Sequence, residues 1–254
     1  MSSWNEIDAE ISRWREMGRS VDLWWRDDDA IEPTPELDRL LELRRAADVP
    51  LALAVVPASA RERLASRLDS EDGVVVLQHG YAHVNHAGAA EKKIELGLQR
   101  PAMMVLGELG TGWLALERLF GARARPILVP PWNRIAPSLV PALPEIGFKG
   151  LSTFGARQRP EPVRGFSQVN THVDLIDWRG SRGFAGEASV LGHFAEALAR
   201  ARQEAEPIGI LSHHLAMDEP AWDFLKSVWG RLTTMPGVRI LPALGLFASR
   251  EARV

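Results

Sequence analysis

Short apolar runs alternate with amphipathic helical stretches along nearly the whole chain, and this alternation restricts the fold more than any other feature. Residues 21–25 are apolar or aromatic apart from Asp22 and lead into Arg26-Asp27-Asp28-Asp29-Ala30. From Thr34 the segment TPELDRLLELRRAADV supplies a threonine cap, a proline in the first turn and leucines at helical spacing. Strand, loop and helix follow one another again in PLALAVVPA with SARERLASRLDSE, in GVVVLQHGYAH with a helical region over 99–120, and in RPILVPPW with APSLVPALPEIG. FKGLSTFG, QVNTHVDLIDW with a helix over 188–206, PIGILSHHL with a helix running to Met235, and GVRILPAL complete the series. The strands are apolar nearly throughout rather than on alternate residues, which fits a parallel sheet covered on both faces. Seven or eight such units in 254 residues predict an α/β fold: a single-domain, distorted (β/α)7–8 TIM-like barrel over 1–254, preceded by a helix within 1–20. There is no solenoid period and no Gly/Ser-rich linker; residues 155–165, GARQRPEPVRG, form the clearest loop. No glycine fingerprint follows the first strand, which argues against a dinucleotide site in a doubly wound sheet.

Composition narrows the function classes. The chain has no cysteine, so disulfides, thiolate metal sites and thiol nucleophiles are excluded, and any metal must be held by histidine and carboxylates. A net charge of −3 lacks the basic excess that binding a phosphate backbone requires, so nucleic acid is not an expected partner. Glu6, Asp8 and Glu10 stand where a signal peptide needs a basic patch and an apolar core. The longest apolar runs fall far short of a membrane span. The expectation is a cytoplasmic protein with no membrane partner, acting on a small molecule or oligosaccharide.

Residues capable of chemistry gather at the carboxyl ends of the predicted strands, the active face of a βα barrel. The first strand delivers Asp27, Asp28 and Asp29; the third delivers His79, His83 and nearby His86; later ones deliver Asp174 and Asp177, then His213 and His214. Of seven histidines, His79, His83, His86, His172, His213 and His214 fall at or near such ends, and only His193 falls in a predicted helix. The spacing of four in HGYAH puts two imidazoles on one side of a helical turn, where both reach one ion. Three adjacent carboxylates repel one another unless a cation, an arginine or a shared proton relieves them. One aspartate with two histidines makes a three-ligand site open to water and substrate, and a second aspartate beside it could act as general base.

These segments, in order over about 190 residues from RDDDA to LSHH, resemble the motifs of the polysaccharide deacetylase family (NodB homology, carbohydrate esterase 4). RDDDA is similar to TFDDG, which implies Asp28 as catalytic base and Asp29 as metal ligand, with Ala30 replacing the glycine. HGYAH resembles the HSxxH motif and implies His79 and His83 as ligands. VPPWN at 129–133 echoes RPPYG, with Trp132 for tyrosine; the family arginine that holds the catalytic aspartate falls on Val129, leaving that role vacant or passed to Arg26 or Arg134. DLIDW matches DxxDW through Asp174, Asp177 and Trp178. LSH matches LxH through Leu211 and His213, with His213 implied as general acid, while His214 stands where many relatives carry aspartate.

The resemblance implies hydrolysis of an N-acetyl or other N-acyl amide of a carbohydrate. A divalent ion, zinc first and cobalt, nickel or iron as alternatives, would sit on Asp29, His79 and His83. A backbone N–H near Trp132 would stabilise the oxyanion, and Asp174 or Asp177 would orient His213. Trp132, Trp178 and Leu211 are the expected pocket residues, and Arg26, Asp27, Arg134, His86 and His214 the supporting ones. Two alternatives stand beside this reading: a metal-independent hydrolase of cyclic amides or ureides, and a catalytically silent carbohydrate-binding barrel.

Overall fold

The computed structural model describes residues 3–247. Its elements run α1 (Trp4–Glu16), β1 (Val21–Ala30), α2 (Pro35–Ala47), β2 (Leu51–Val55), α3 (Glu62–Leu68), β3 (Val74–His79), α4 (Ala102–Phe120), β4 (Ala124–Val129), β5 (Gly150–Leu151), β6 (Ser167–Gln168), β7 (Val173–Asp174), α5 (Glu187–Glu204), β8 (Ile208–Ser212), α6 (Glu219–Leu232), β9 (Val238–Ile240) and α7 (Ala243–Leu246). This is the α/β class of the (β/α)-barrel type that the alternation predicts. Its helices begin where local chemistry directs: Thr34 accepts the Leu37 N–H at the start of α2, with Pro35 in the first turn, and Asp218 accepts the Ala221 N–H at the start of α6.

By their internal contacts the residues form two compact units, each assembled from separated segments. One comprises, among the described residues, 3–28, Thr34–Leu51 and Thr171–Ala243. Here β8 lies between β7 and β1, and β9 also pairs with β1, all in parallel; Arg26 faces Leu211 and Asp27 faces Ser212 across the β1–β8 ladder. α1 buries Ile7, Ile11 and Trp14, one helical face, and the Trp14 indole donates to the Leu198 carbonyl of α5 at 3.2 Å. The other unit comprises Asp29–Pro33, Ala52–Asn170 and, among the described residues, 244–247. Its strands lie in the order β6-β5-β4-β3-β2, with the β3–β4, β4–β5 and β5–β6 pairings parallel. A core of Val105, Leu109, Leu128, Leu139, Phe148 and Phe166 joins α4 to this array.

Several expectations change. β1 runs through RDDDA to Ala30: Arg26 and Asp27 pair with β8, and the Ala30 carbonyl accepts the Val56 N–H at 3.0 Å. APSLVPALPEIG forms two 3-10 turns, over Pro137–Ala142 and Pro144–Ile146, since Pro141 has no N–H to continue a helix. QVNTHVDLIDW divides into the short β6 and β7 on either side of Asn170, whose side chain reaches back to the Gly155 carbonyl at 2.8 Å. His172 lies at the amino end of β7, not at a carboxyl end, and is buried with its Nε2 3.4 Å from Glu206, just before β8.

Candidate active site

Strand alternation sorts the aspartates of β1, because residues two apart share a face. Arg26 and Asp28 share one, and the guanidinium clasps the carboxylate with both arms, Nε to Oδ1 at 2.8 Å and NH2 to Oδ2 at 3.0 Å. Both groups are essentially without exposure, at 0% and 1%. Of the two arginines considered for holding Asp28, Arg26 is the one that pairs with it. Arg134, the other candidate, donates instead to the Lys93 carbonyl at 2.8 Å.

Asp27 points the other way, with Trp25. Its Oδ2 accepts from the Ser212 hydroxyl at 2.6 Å and the His214 N–H at 3.0 Å, and its Oδ1 meets His214 Nδ1 at 2.5 Å. The Trp25 indole donates to the same hydroxyl at 2.8 Å. Every member of this network is buried. His214 is therefore a structural partner of Asp27 that ties the end of β8 to β1. Sequence reasoning missed Ser212 and Trp25; the only signal was their positions beside motif residues.

His213 follows β8 and is 7% exposed. Its Nε2 is 4.0 Å from Asp28 Oδ2 and its Nδ1 3.8 Å from Asp174 Oδ1, distances for electrostatic interaction rather than hydrogen bonding. Trp178 stands edge-on to its ring at 4.7 Å, is 45% exposed, and donates to Asp174 Oδ2 at 2.9 Å. Burial pushes the Asp174 carboxyl above its ordinary range, opposed by the His213 charge and by donors from Ile176 and Trp178. Of the two aspartates considered for orienting His213, Asp174 occupies that place. Asp177 caps its own loop: the Gly180 and Arg179 N–H groups lower its pKa. Leu211 has no exposed surface, so it is a core residue rather than a pocket wall.

In the second unit, Asp29, His79 and His83 present ligand atoms all within 4.8 Å of one another. Asp29 Oδ1 is 3.0 Å from His79 Nε2 and 3.1 Å from His83 Nε2. The two imidazoles do not share a helical turn, as their spacing suggested. His79 ends β3, and the chain then bends through Gly80 at φ +55° to His83 at φ +58°. Of the seven non-glycine residues with positive φ among the described residues, four stand in this region: Asp29, His83, Trp132 and Asn133. Such conformations cost roughly 1–3 kcal/mol each and concentrate at functional sites. Trp132 packs on the His83 ring at 4.4 Å. His86 lies outside the triad, its N–H bonded to the Ile94 carbonyl.

The bend is shaped by Glu95, which the sequence reading did not single out. It is 1% exposed and accepts the Tyr81 and Ala82 N–H groups at 3.2 and 2.7 Å. A Cβ on Gly80 would come within 2.0 Å of Glu95 Oε2 and 2.5 Å of the Pro131 ring. Glycine here, where the family motif has a hydroxyl residue, follows from that crowding and from the positive φ. Gly80→Ala is expected to destabilise the chain by about 2 kcal/mol or more and to weaken metal binding by displacing His83, measured by denaturant unfolding and metal titration.

His79 Nδ1 lies 3.1 Å from the Val129 carbonyl, which can only accept, so Nδ1 carries a proton and a neutral His79 ring has its lone pair on Nε2, the atom facing Asp29. The Nε2 atoms of both imidazoles converge on one carboxylate oxygen. Ligands about 2.0–2.2 Å from one tetrahedral ion lie some 3.3–3.5 Å apart, close to the spacings here, and the donor set suits zinc.

No protein-family model and no curated protein matches the chain. Solved structures do. A Mycobacterium smegmatis protein described as a polysaccharide deacetylase is 16% identical, with a TM-score of 0.69, over 91% of this chain and 90% of its own. A peptidoglycan deacetylase from Bacillus subtilis is 16% identical with a TM-score of 0.55, over 90% of each chain. A family 4 acetyl xylan esterase from Clostridium thermocellum, solved with a cobalt ion, is 16% identical with a TM-score of 0.51, over 89% of this chain and 90% of its own. At such identities the likeness shows a shared fold. Among the described residues no helix is long and apolar enough to cross a membrane.

Proposed function

We propose that the chain is a metal-dependent hydrolase that removes an N-acyl group, an acetyl group in the simplest case, from a carbohydrate or related amide. The observation that carries this reading is the convergence of His79, His83 and Asp29 on one point, with ligand spacing and a proton arrangement that a divalent cation satisfies. Zinc is the first choice, and cobalt, nickel and iron suit the same ligands. The bound ion would polarise the acyl carbonyl and lower the pKa of a water in the site. Asp28, one peptide bond from Asp29, accepts the proton of the attacking water, and the Arg26 clasp holds its carboxylate in one orientation. His213 donates a proton to the departing amine nitrogen. The Asp174 carboxylate beside Nδ1 offsets the positive charge the ring carries in that step, and Trp178 confines the ring. Trp132 and the exposed face of Trp178 offer surfaces on which a sugar ring can stack. The solved structures of like fold whose names describe peptidoglycan and xylan deacylation support a glycan substrate.

The test is a metal titration coupled to an acetate-release assay on N-acetylglucosamine oligomers. The wild-type chain is expected to bind about one equivalent of zinc or cobalt, and His79→Ala/His83→Ala to lose more than ~100-fold in affinity together with activity. Absence of stoichiometric metal in the wild type would overturn the reading. Stoichiometric metal without acetate release from any acylated sugar would favour the silent binder.

A further inference from the structure

The unit that carries the metal triad also holds a cavity of about 640 Å³ that no part of the proposed chemistry uses. Covalent and packing continuity join the two places. Trp132 lies against His83, while the next two residues, Asn133 and Arg134, line the cavity. Ile94, also in the lining, belongs to the same loop as His83 and is held by Asn85 and His86.

The lining has a marked chemical bias. Arg134 and Arg159 both face it, and no aspartate or glutamate does. Arg134 uses one N–H on the Lys93 carbonyl, which leaves most of its five donors, and Arg159 has no ion pair among the described residues. Buried Asn170 braces one side: its Oδ1 accepts from the Thr153 N–H and hydroxyl, both at 3.0 Å, and from Gln168 at 3.2 Å, fixing these lining residues. The floor is apolar, through Val140 and Leu151. A volume in the range of small-ligand sites, the exposed Gln158 amide, which suits sugar hydroxyls, and two guanidinium groups with no carboxylate in the lining describe a receptor for an acidic sugar.

We infer that this cavity binds a carboxylate-bearing saccharide unit, such as a uronic acid, placed next to the acylated unit in the same glycan. The inference rests on the hydrolase reading for its identification of the glycan, but its own content is a charge preference measurable without turnover. The experiment is calorimetric titration of the full chain with a glucuronate–N-acetylglucosamine disaccharide and with the same disaccharide reduced at the carboxyl group to the neutral glucose form. The acidic disaccharide is expected to bind about tenfold more tightly in low salt, and Arg134→Gln/Arg159→Gln to erase the difference. Equal affinities, a preference that survives the double substitution, or no binding of either sugar would overturn it. Metal loading and acetate release are read separately, so their failure would remove the hydrolase reading while leaving the measured preference intact.

Discussion

Arg26→Met is expected to cost about 3–5 kcal/mol of folding stability, because it leaves the Asp28 carboxylate buried without its cation. The clasp is two charge-assisted hydrogen bonds between groups of 0% and 1% exposure, and methionine fills similar volume while removing both donors. The double variant Arg26→Met/Asp28→Leu separates charge from packing. It is expected to recover most of the lost stability, since replacing a buried ion pair by apolar groups of similar size is often neutral. Urea unfolding of the four members of this cycle measures the coupling. A single Arg26→Met variant as stable as wild type would mean that the pair does not hold β1 as described. Acetate release should be absent in both variants that lose the Asp28 carboxylate and strongly reduced in Arg26→Met, where the carboxylate remains but is no longer oriented.

Asp28→Asn is expected to lower kcat by roughly 10²- to 10⁴-fold, the range for removal of a general base, with metal affinity nearly unchanged because the side chain at position 28 is not one of the three converging ligands. Asp29→Asn should do the reverse in order of cause: metal affinity falls first and activity with it. The contrast between adjacent aspartates is a demanding check, since both carry the same charge and differ only in the direction their side chains take from the backbone. Equal loss of metal in the two variants would merge their roles and contradict the division.

That division marks where the sequence is legible. The strands β2 and β8, buried at every residue, and the capped helices α2 and α6 are readable from apolar runs, Thr34 and the Asp218-Glu219-Pro220 segment, because strand burial and helix capping are local or nearly local. The triad Asp29, His79 and His83 is readable too, through motifs that keep their spacing. The replacement for the missing arginine narrows to Arg26 or Arg134 on sequence, and pairing with Asp28 along one face of β1 decides it. Three consecutive aspartates favour a loop on propensity alone, and backbone pairing overrides that preference: Arg26 and Asp27 join the β8 ladder and the Ala30 carbonyl accepts the Val56 N–H.

The amino-acid order by itself determined which residue types could do chemistry here: no thiol, a carboxylate run after one apolar strand, and histidine pairs after two others. The resemblance already implied different roles for Asp28 and Asp29, and tertiary structure alone supplied the contacts that separate the three aspartates. Pleating sends Asp27 toward Ser212 and His214 and Asp28 toward Arg26, and the positive φ of Asp29 turns its carboxylate to the two imidazoles. Glu95 and the Val129 carbonyl, which fix the histidines, have no local signature, because a hydrogen bond between residues 14 or 50 positions apart exists only once the backbone has brought them together.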